Sequence, residues 1–312
     1  MRDELELFAS LSGSPESAAR FAAWVAERWD LDESRPSWCF IVERGSGPVG
    51  RILYWSFPAH RDPFVLSGLQ LGWEDEDYLD SGRALLLESL PAISRDGATS
   101  LETSVAADLP FAEKRRELLT ALPLPVLQQK RRFVLRDLAS GDASAERAGS
   151  RLRFVAMSET TRESFREMIE RVTEGTLDRS DAGERRLHGP VRASERYIEL
   201  LEEIDPDTSL WQLAWDRERC IGLVVPQRLD DERGTINYIG VVPEARGNGY
   251  IDDLLRRGLE LLHENRMEKA VVDVDALNLP VTASLERTGW SETGVSWRFD
   301  LATARMTGEI DR

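Results

Sequence analysis

The sequence predicts an α/β fold that occurs twice along the chain. Candidate strands and amphipathic helices follow one another through the second half, a pattern typical of helices packed on a sheet. The same order of elements recurs in the first half at an offset of about 170 residues. Between the halves lies LASGDASAERAGS (138–150), a polar stretch without apolar periodicity that is typical of a linker.

Apolar spacing predicts the elements of the second half. Helices are expected from Glu159 to about Glu174 and from Ala193 to about Ile204, with a polar segment rich in turn formers between them. Further helices are expected from Tyr250 and near Pro280. The expected strands are RLRFVAM, SLWQLAW, CIGLVVPQ, GTINYIGVV, KAVVDVDA and GVSWRFDL.

The first half matches this order in five elements. WCFIVERGSGPVG parallels WQLAWDRERCIG, and YLDSGRALLLESL parallels YIDDLLRRGLELL. Agreement in order favours duplication of one fold over chance similarity of two α/β patterns. We therefore expect two domains, at residues 1–140 and 150–312.

Composition limits the classes of function. The formal net charge of −16 argues against nucleic acid as a partner and mildly favours a cationic substrate, although an acidic solvated surface is commoner. The N-terminus does not resemble a signal peptide and no long apolar run occurs, so a cytoplasmic protein without a membrane segment is expected. No metal site is expected, because His60, His188 and His263 are scattered.

The segment VPEARGNG (242–249), hereafter the glycine loop, is the main functional signal. It lies between an expected strand that ends near Pro243 and an expected helix. Gly247 and Gly249 permit unusual dihedral angles and close approach of the backbone to a ligand. Free N–H groups and the positive end of the helix dipole together favour an anion, so the loop suits a diphosphate. The alternative is an ordinary chain reversal.

The glycine loop resembles the acetyl-CoA motif of the GCN5-related N-acetyltransferase (GNAT) family, Arg/Gln-x-x-Gly-x-Gly/Ala. Arg246, Gly249 and Ile251 occupy the three defining positions, and Ile251 departs from the usual small residue. Asn278, followed by Gly289-Trp290, matches a second family feature. The resemblance covers residues 150 to 302. It implies two tandem GNAT-like domains, each with a mixed, mostly antiparallel central sheet flanked by helices.

The resemblance also implies acetyl-CoA as co-substrate, bound along a strand and over the glycine loop. Main-chain groups of the strand would align the pantetheine arm, the loop N–H groups would hold the pyrophosphate, and Asn278 would lie near the thiol end. Core packing of Ile239 and Val241, and helix capping by Asn278, remain open alternatives. The implied cofactor-binding residues are Ile239, Gly240, Val241, Arg246, Gly247, Asn248, Gly249, Tyr250, Ile251, Asp252 and Asn278.

Residues for catalysis are less clearly marked. Direct attack by an amine needs a base, and Asp273 and Asp275 fall on one face of an expected strand, where two carboxylates could raise one another's pKa. A charged, solvated strand end is the alternative. Leu285 stands where the family has the tyrosine that protonates the leaving thiolate, which leaves Tyr250 and Ser284 as nearby hydroxyls. Weaker candidates are Tyr238, Asn237 and His188.

In the first half, GWEDEDYLDSG (72–82) replaces the glycine loop. Its carboxylates would repel a pyrophosphate, so this copy is expected to have lost cofactor binding. The sequence thus favours an N-acetyltransferase with an active second domain, acting on a primary amine of a small molecule, as a monomer or homodimer. The alternatives are a non-catalytic acyl-CoA-binding or regulatory protein, and a protein N-terminal or lysine acetyltransferase.

Overall fold

The structure is a computed structural model that describes residues 2–45, 47–58, 62–138, 151–308 and 310. In chain order its helices and strands are α1 (Arg2–Ser10), α2 (Pro15–Asp30), β1 (Cys39–Arg44), β2 (Gly47–Trp55), β3 (Phe64–Leu71), α3 (Tyr78–Arg95), β4 (Ser100–Ala106), α4 (Ala112–Thr120), β5 (Val126–Leu135), β6 (Arg153–Ala156), α5 (Arg162–Val172), α6 (Arg179–His188), α7 (Pro190–Ile204), β7 (Gln212–Asp216), β8 (Arg219–Arg228), β9 (Arg233–Val241), α8 (Tyr250–Glu264), β10 (Lys269–Asp275), α9 (Leu279–Arg287), β11 (Ser291–Asp300) and α10 (Leu301–Met306).

The chain forms two units with boundaries that differ from the expected domains 1–140 and 150–312. The first unit is Met1–Gln129 with Val295–Arg312, and the second is Lys130–Gly294. The expected division thus differs at both ends of the second half, because contacts between distant residues decide the units. Nearly all of the expected linker, residues 139–150, lies outside the described residues.

In the first unit, β1, β2 and β3 are antiparallel neighbours, and β3 runs parallel to β4. Trp38, Phe64 and Leu86 are fully buried in the core of this unit. Trp297 and Phe299 of β11 join the same core. This burial explains why the end of the chain belongs to the first unit and not, as the sequence order suggested, to the second.

The second unit contains a sheet in the order β5, β10, β9, β8, β7, β6. Its strands are antiparallel neighbours except β9 and β10, which are parallel. β5 pairs with β10 from Lys130 to Leu135, and Phe133 is buried with Trp211 and Leu254 in one core. The predicted mixed, mostly antiparallel sheet flanked by helices is confirmed.

The parallel strands β9 and β10 separate after a short paired stretch. They pair at Arg233/Lys269, Gly234/Ala270 and Thr235/Val271, and each strand then continues without pairing to the other. The freed segments, 236–241 of β9 and 272–275 of β10, border an opening that we call the strand cleft. The edge of β9 that faces β10 therefore has backbone groups available to an extended ligand.

Two glycines let helices approach β9 closely. A Cβ on Gly240 would lie 2.8 Å from the side chain of Val172 in α5, and a Cβ on Gly258 of α8 would lie 2.8 Å from Ile236. Both distances are shorter than side chains tolerate, so glycine is required for this packing. Within the described part of the chain, no helix is both long and apolar enough to span a bilayer.

One helix was not expected from the sequence. The polar segment between the two predicted helices contains α6, which begins after Asp178. The Asp178 carboxylate accepts hydrogen bonds from the N–H groups of Ser180 (2.8 Å) and Asp181 (3.2 Å), and so caps the helix. The prediction of turns failed here because this helix has no buried residues, and therefore no apolar face to reveal it.

Candidate active site

The glycine loop has the geometry that its sequence predicts. After β9 the chain makes a short 3₁₀ turn at Pro243–Ala245, and α8 begins at Tyr250. Gly247 and Gly249 have φ values of +79° and +76°, which are unfavourable for residues with a Cβ. The loop therefore depends on glycine at both positions.

The N–H groups of the glycine loop point to an anion site. Those of Gly247, Asn248, Gly249, Tyr250 and Ile251 make no hydrogen bond to any described residue. They lie at the start of a helix of 15 residues, where the dipole favours negative charge. N–H groups at such a position are suited to phosphate oxygens, and binding of an anion here stays a prediction.

Arg246 anchors the loop from behind. Its guanidinium donates to the carbonyl oxygens of Val172 (2.9 Å), Glu174 (2.7 Å) and Gly175 (3.1 Å) at the end of α5. It also donates to the carbonyl oxygen of Val241 at 3.1 Å. The side chain is thus committed to backbone carbonyls, and its contact with a cofactor stays a prediction.

Arg151 is a cation at the loop that the sequence did not reveal. Its guanidinium donates to the carbonyl oxygen of Asn248 (2.7 Å) and to Asp253 (2.9 Å), and lies 4.2 Å from the ring centre of Tyr250. A Cβ on Gly249 would be 3.6 Å from this guanidinium. Because Arg151 precedes the loop by nearly a hundred residues, no local pattern connects the two.

The first turn of α8 carries three further predicted residues. Asp252 accepts from Ser284 and from Arg287 (3.0 Å), so the guanidinium of Arg287 balances its charge beside the loop. Ile251 is partly buried against the core, so part of its side chain is taken up by packing. Tyr250 donates to Asp216 at 2.6 Å, and this hydrogen bond raises the pKa of its phenol.

Asp216 ends β7, which is separated from β9 by β8. The Tyr250 hydroxyl therefore lies on the side of β9 away from the strand cleft. Its role as an acid or base stays a prediction without support from this geometry.

Predicted cofactor contacts border the strand cleft. Ile239, Gly240 and Val241 are partly exposed, and Ile239 and Val241 also pack against the core, so their contact with a cofactor stays a prediction. Asn278 precedes α9 but makes no side-chain cap. Its side-chain amide has no hydrogen bond to the described residues, and helix capping therefore does not account for this asparagine.

The two aspartates of β10 are each held by an arginine. Asp273 receives two hydrogen bonds from Arg132, at 2.9 and 2.7 Å. Asp275 is fully buried and accepts from the backbone N–H (3.0 Å) and the guanidinium (3.1 Å) of Arg179. Their role as catalytic bases stays a prediction, but both carboxylates already have cationic partners.

The remaining candidates offer little for proton transfer. Leu285 is buried in the core, and Ser284 donates to Asp252. His188 ends α6 with its Nε2 3.6 Å from a carboxylate oxygen of Glu184. In the described ranges, no group of three His, Cys, Asp or Glu side chains is placed to hold a metal ion.

Asp181 and Tyr238 form a pair that sequence reasoning missed in part. The Tyr238 hydroxyl donates to the Asp181 carboxylate at 3.2 Å. Burial, with a smaller contribution from the charge of Asp178, raises the pKa of Asp181 to about 7. Asp181 lies on the unexpected helix α6, which is why no periodicity drew attention to it.

The chain shares its fold with acetyltransferases. A GCN5-related N-acetyltransferase from Sphaerobacter thermophilus matches at TM-score 0.59 and 14% identity, over 89% of this chain and 84% of that one. A GCN5-related glucosamine N-acetyltransferase region in a fungal multi-domain β-N-acetylglucosaminidase matches at TM-score 0.51 and 16% identity, over 88% of this chain and 34% of that one. A GCN5-related N-acetyltransferase from Kribbella flavida matches at TM-score 0.50 and 10% identity, over 91% and 96%.

At the level of sequence, no curated protein matches the chain. The family model of the acetyltransferase (GNAT) family matches residues 175–290. These residues contain the glycine loop, the strand cleft and Asn278. Residues 175–290 of the chain therefore match a domain of the GNAT acetyltransferase family.

Proposed function

We propose that the second unit transfers an acetyl group from acetyl-CoA to a primary amine of a small molecule, by direct attack within a ternary complex. The observation that carries this proposal is the row of N–H groups from Gly247 to Ile251 that have no partner in the described part of the chain, next to the open edge of β9. A strand edge and an anion-binding loop in series suit a ligand with an extended amide arm and a pyrophosphate.

The residues present fit acetyl-CoA. The loop N–H groups would receive the pyrophosphate oxygens, and the guanidinium of Arg151 would add positive charge at the same place. Backbone groups of Ile239, Gly240 and Val241 would bond the pantetheine amides. The side-chain amide of Asn278, which has no partner among the described residues, would contact the arm near its thiol end.

Bound in this way, acetyl-CoA supplies an activated acyl carbon as its thioester. The protein has to orient the arm, keep the amine uncharged and stabilise the oxyanion, for which backbone N–H groups near Val241 are the candidates. Leu285 offers no proton to the thiolate. Because a thiolate is a tolerable leaving group, turnover requires no tyrosine at that position.

A second candidate function is acyl-CoA binding without catalysis. The burial of Leu285 and the engagement of Tyr250 with Asp216 favour it, since neither supplies a general acid. Release of CoA from acetyl-CoA in the presence of a panel of primary amines distinguishes the two. Binding with no turnover on any amine supports the non-catalytic function.

Titration calorimetry with acetyl-CoA tests the proposed site. The wild type should bind one equivalent per chain, and Gly249→Glu should not bind, because its carboxylate would repel the pyrophosphate. Gly189→Glu is a matched control, since Gly189 also precedes a helix and has φ +77°, close to the +76° of Gly249. Equal loss in both variants would indicate backbone strain, and the loop assignment would then fail.

A further inference from the structure

We propose that Asp181, held by Tyr238, is the general base that removes the proton from the acceptor ammonium. This assignment rests on the proposed function and identifies the residue that would act as its base. It places the acceptor at the strand cleft, between the start of α6 and the exposed edge of β9.

The start of α6 bridges the two strands that border the cleft. Arg179, its first residue, is bonded to Asp275 at the end of β10 through both its N–H (3.0 Å) and its guanidinium (3.1 Å). Asp181, two residues further, is bonded to Tyr238 on β9 at 3.2 Å. Because these two contacts attach one helical turn to both strands, Asp181 lies at the opening between them.

A β-bulge turns Tyr238 toward α6 and α7. Val225 of β8 opposes Tyr238, and Pro226 opposes Ile236, so Asn237 is the extra residue of β9. The bulge lets Ile236 pack under α8, while the ring of Tyr238 lies against that of Tyr197, with centroids 4.5 Å apart. Tyr238 is therefore fixed, and its hydroxyl can orient the Asp181 carboxylate.

The surroundings of Asp181 suit a base that works near neutral pH. Burial comes first, and the charges of Asp178 and Glu184 add to it in raising the pKa of its carboxyl to about 7. The hydrogen bond from Tyr238 and the charge of Lys130 act in the opposite direction. A carboxylate with this pKa accepts a proton more readily than an ordinary one and is still largely ionised slightly above neutrality.

Asp181 differs from the aspartates of β10 in its partners. It is half-buried and forms no ion pair within the described residues. Asp273 and Asp275 are instead bonded to the guanidinium groups of Arg132 and Arg179. Of the three carboxylates, Asp181 is the one without an arginine partner among the described residues.

The proposed reaction moves one amine proton to Asp181 and a second one to the leaving thiolate. The Asp181 carboxylate takes one proton from R–NH₃⁺ and becomes neutral, and the free amine attacks the thioester carbonyl carbon. A C–N bond forms, the C–S bond breaks, and the thiolate leaves with the electron pair of that bond. The second amine proton neutralises the thiolate to CoA–SH, and the proton on Asp181 passes to solvent when the amide leaves.

The test compares three variants in pH profiles of kcat, with tyramine, spermidine and glucosamine as probe amines and acetyl-CoA saturating. Asp181→Asn should lower kcat by about 100-fold or more and remove the acidic limb near pH 7. Tyr238→Phe should move that limb to higher pH, because it deletes a bond that stabilises the carboxylate. Asp178→Asn should move it to lower pH, since it removes a repelling charge while asparagine still caps α6.

Glu184→Gln serves as the control on the same helix, and calorimetric binding of acetyl-CoA by each variant checks the fold. Glu184→Gln should keep the wild-type kcat, with only a slight shift of the limb. Wild-type turnover together with an unchanged kcat and limb in Asp181→Asn overturns the assignment and leaves the proposed function intact. A wild type that binds no acetyl-CoA overturns the proposed function, and the assignment of Asp181 with it.

Discussion

The two units use the same strand arrangement but finish it with different loops. β3 and β4 of the first unit are parallel and pair only at Phe64/Leu101 and Val65/Glu102, much as β9 and β10 do in the second. The loop after β3 bonds to itself and to its neighbours: Gly72 N–H donates to Val49 (3.0 Å), Trp73 to Leu71 (2.9 Å) and Asp75 to Gly72 (2.9 Å). In the second unit, the N–H groups of Ala245 and Arg246 bond within the glycine loop, whereas those of residues 247–251 have no partner among the described residues.

Side chains of α4 are a second difference between the two units, because they bond to the backbone at the end of β3. Arg115 donates to the carbonyl oxygen of Leu69 and to Gln70, and lies 4.5 Å from the ring centre of Trp73. Lys114 donates to the carbonyl oxygen of Trp73. These side chains occupy the end of β3, where a ligand would have to bond the backbone. This difference supports the proposal that acetyl-CoA binds at the loop of the second unit and that the first unit has lost cofactor binding.

Replacing Arg246, which anchors the glycine loop, should have the largest effect on acetyl-CoA binding. Arg246→Ala removes the hydrogen bonds to four carbonyl oxygens and should lower stability by about 1–2 kcal/mol, since the side chain is exposed. Binding of acetyl-CoA should fall by more than about 10-fold, because the loop loses its fixed geometry. Thermal unfolding and calorimetry measure both.

Arg256→Ala provides the control for Arg246, because Arg256 is an exposed arginine of α8 that pairs with Asp253. Arg256→Ala should leave both the stability of the protein and its affinity for acetyl-CoA nearly unchanged. If Arg246→Ala kept full affinity, the anchored loop would not be what distinguishes the second unit from the first.

Arg151 and Arg115 offer a paired test of the two units. Arg151→Ala should weaken acetyl-CoA binding by about 10-fold, an effect of about 1.4 kcal/mol, with a reduced dependence on salt. Arg115→Ala should leave binding unchanged, since its contacts lie in the first unit. Titrations at two salt concentrations provide the measurement, and weaker binding in Arg115→Ala would contradict the assignment of the site to the second unit alone.

Replacing Asn278 should have the smallest effect on acetyl-CoA binding. Asn278→Ala should weaken acetyl-CoA binding a few-fold and leave the melting temperature unchanged, because the side chain makes no cap in the structure. A capping asparagine would instead cost about 1 kcal/mol of stability when replaced by alanine. A lower melting temperature with unchanged affinity would therefore favour the capping alternative.

The sequence was sufficient for features that depend on local chemistry. Apolar spacing predicted the strands around the glycine loop, and Gly247 and Gly249 predicted its backbone because few other residues adopt positive φ. It could not predict partners that meet through the fold. Arg151 at the loop, Arg179 on Asp275 and Tyr238 on Asp181 each join residues far apart in the chain.

The unit boundaries escaped prediction for the same reason, because the partners of Lys130–Leu135 and of Trp297 are chosen by sheet pairing and burial. The helix α6 was missed because no apolar face marks it. The proposed acceptor side of the site, which depends on this helix, is therefore the part that required the structure.

Hydrogen–deuterium exchange with and without acetyl-CoA tests the central claim most directly, because it reports on the N–H groups themselves. Those of residues 247–251 have no partner among the described residues and should exchange rapidly in the free protein. Added acetyl-CoA should protect peptides that cover 247–251 and 236–241, and should leave residues 72–78 unchanged. Protection at 72–78, or none at 247–251, would contradict the assignment of the cofactor site to the second unit.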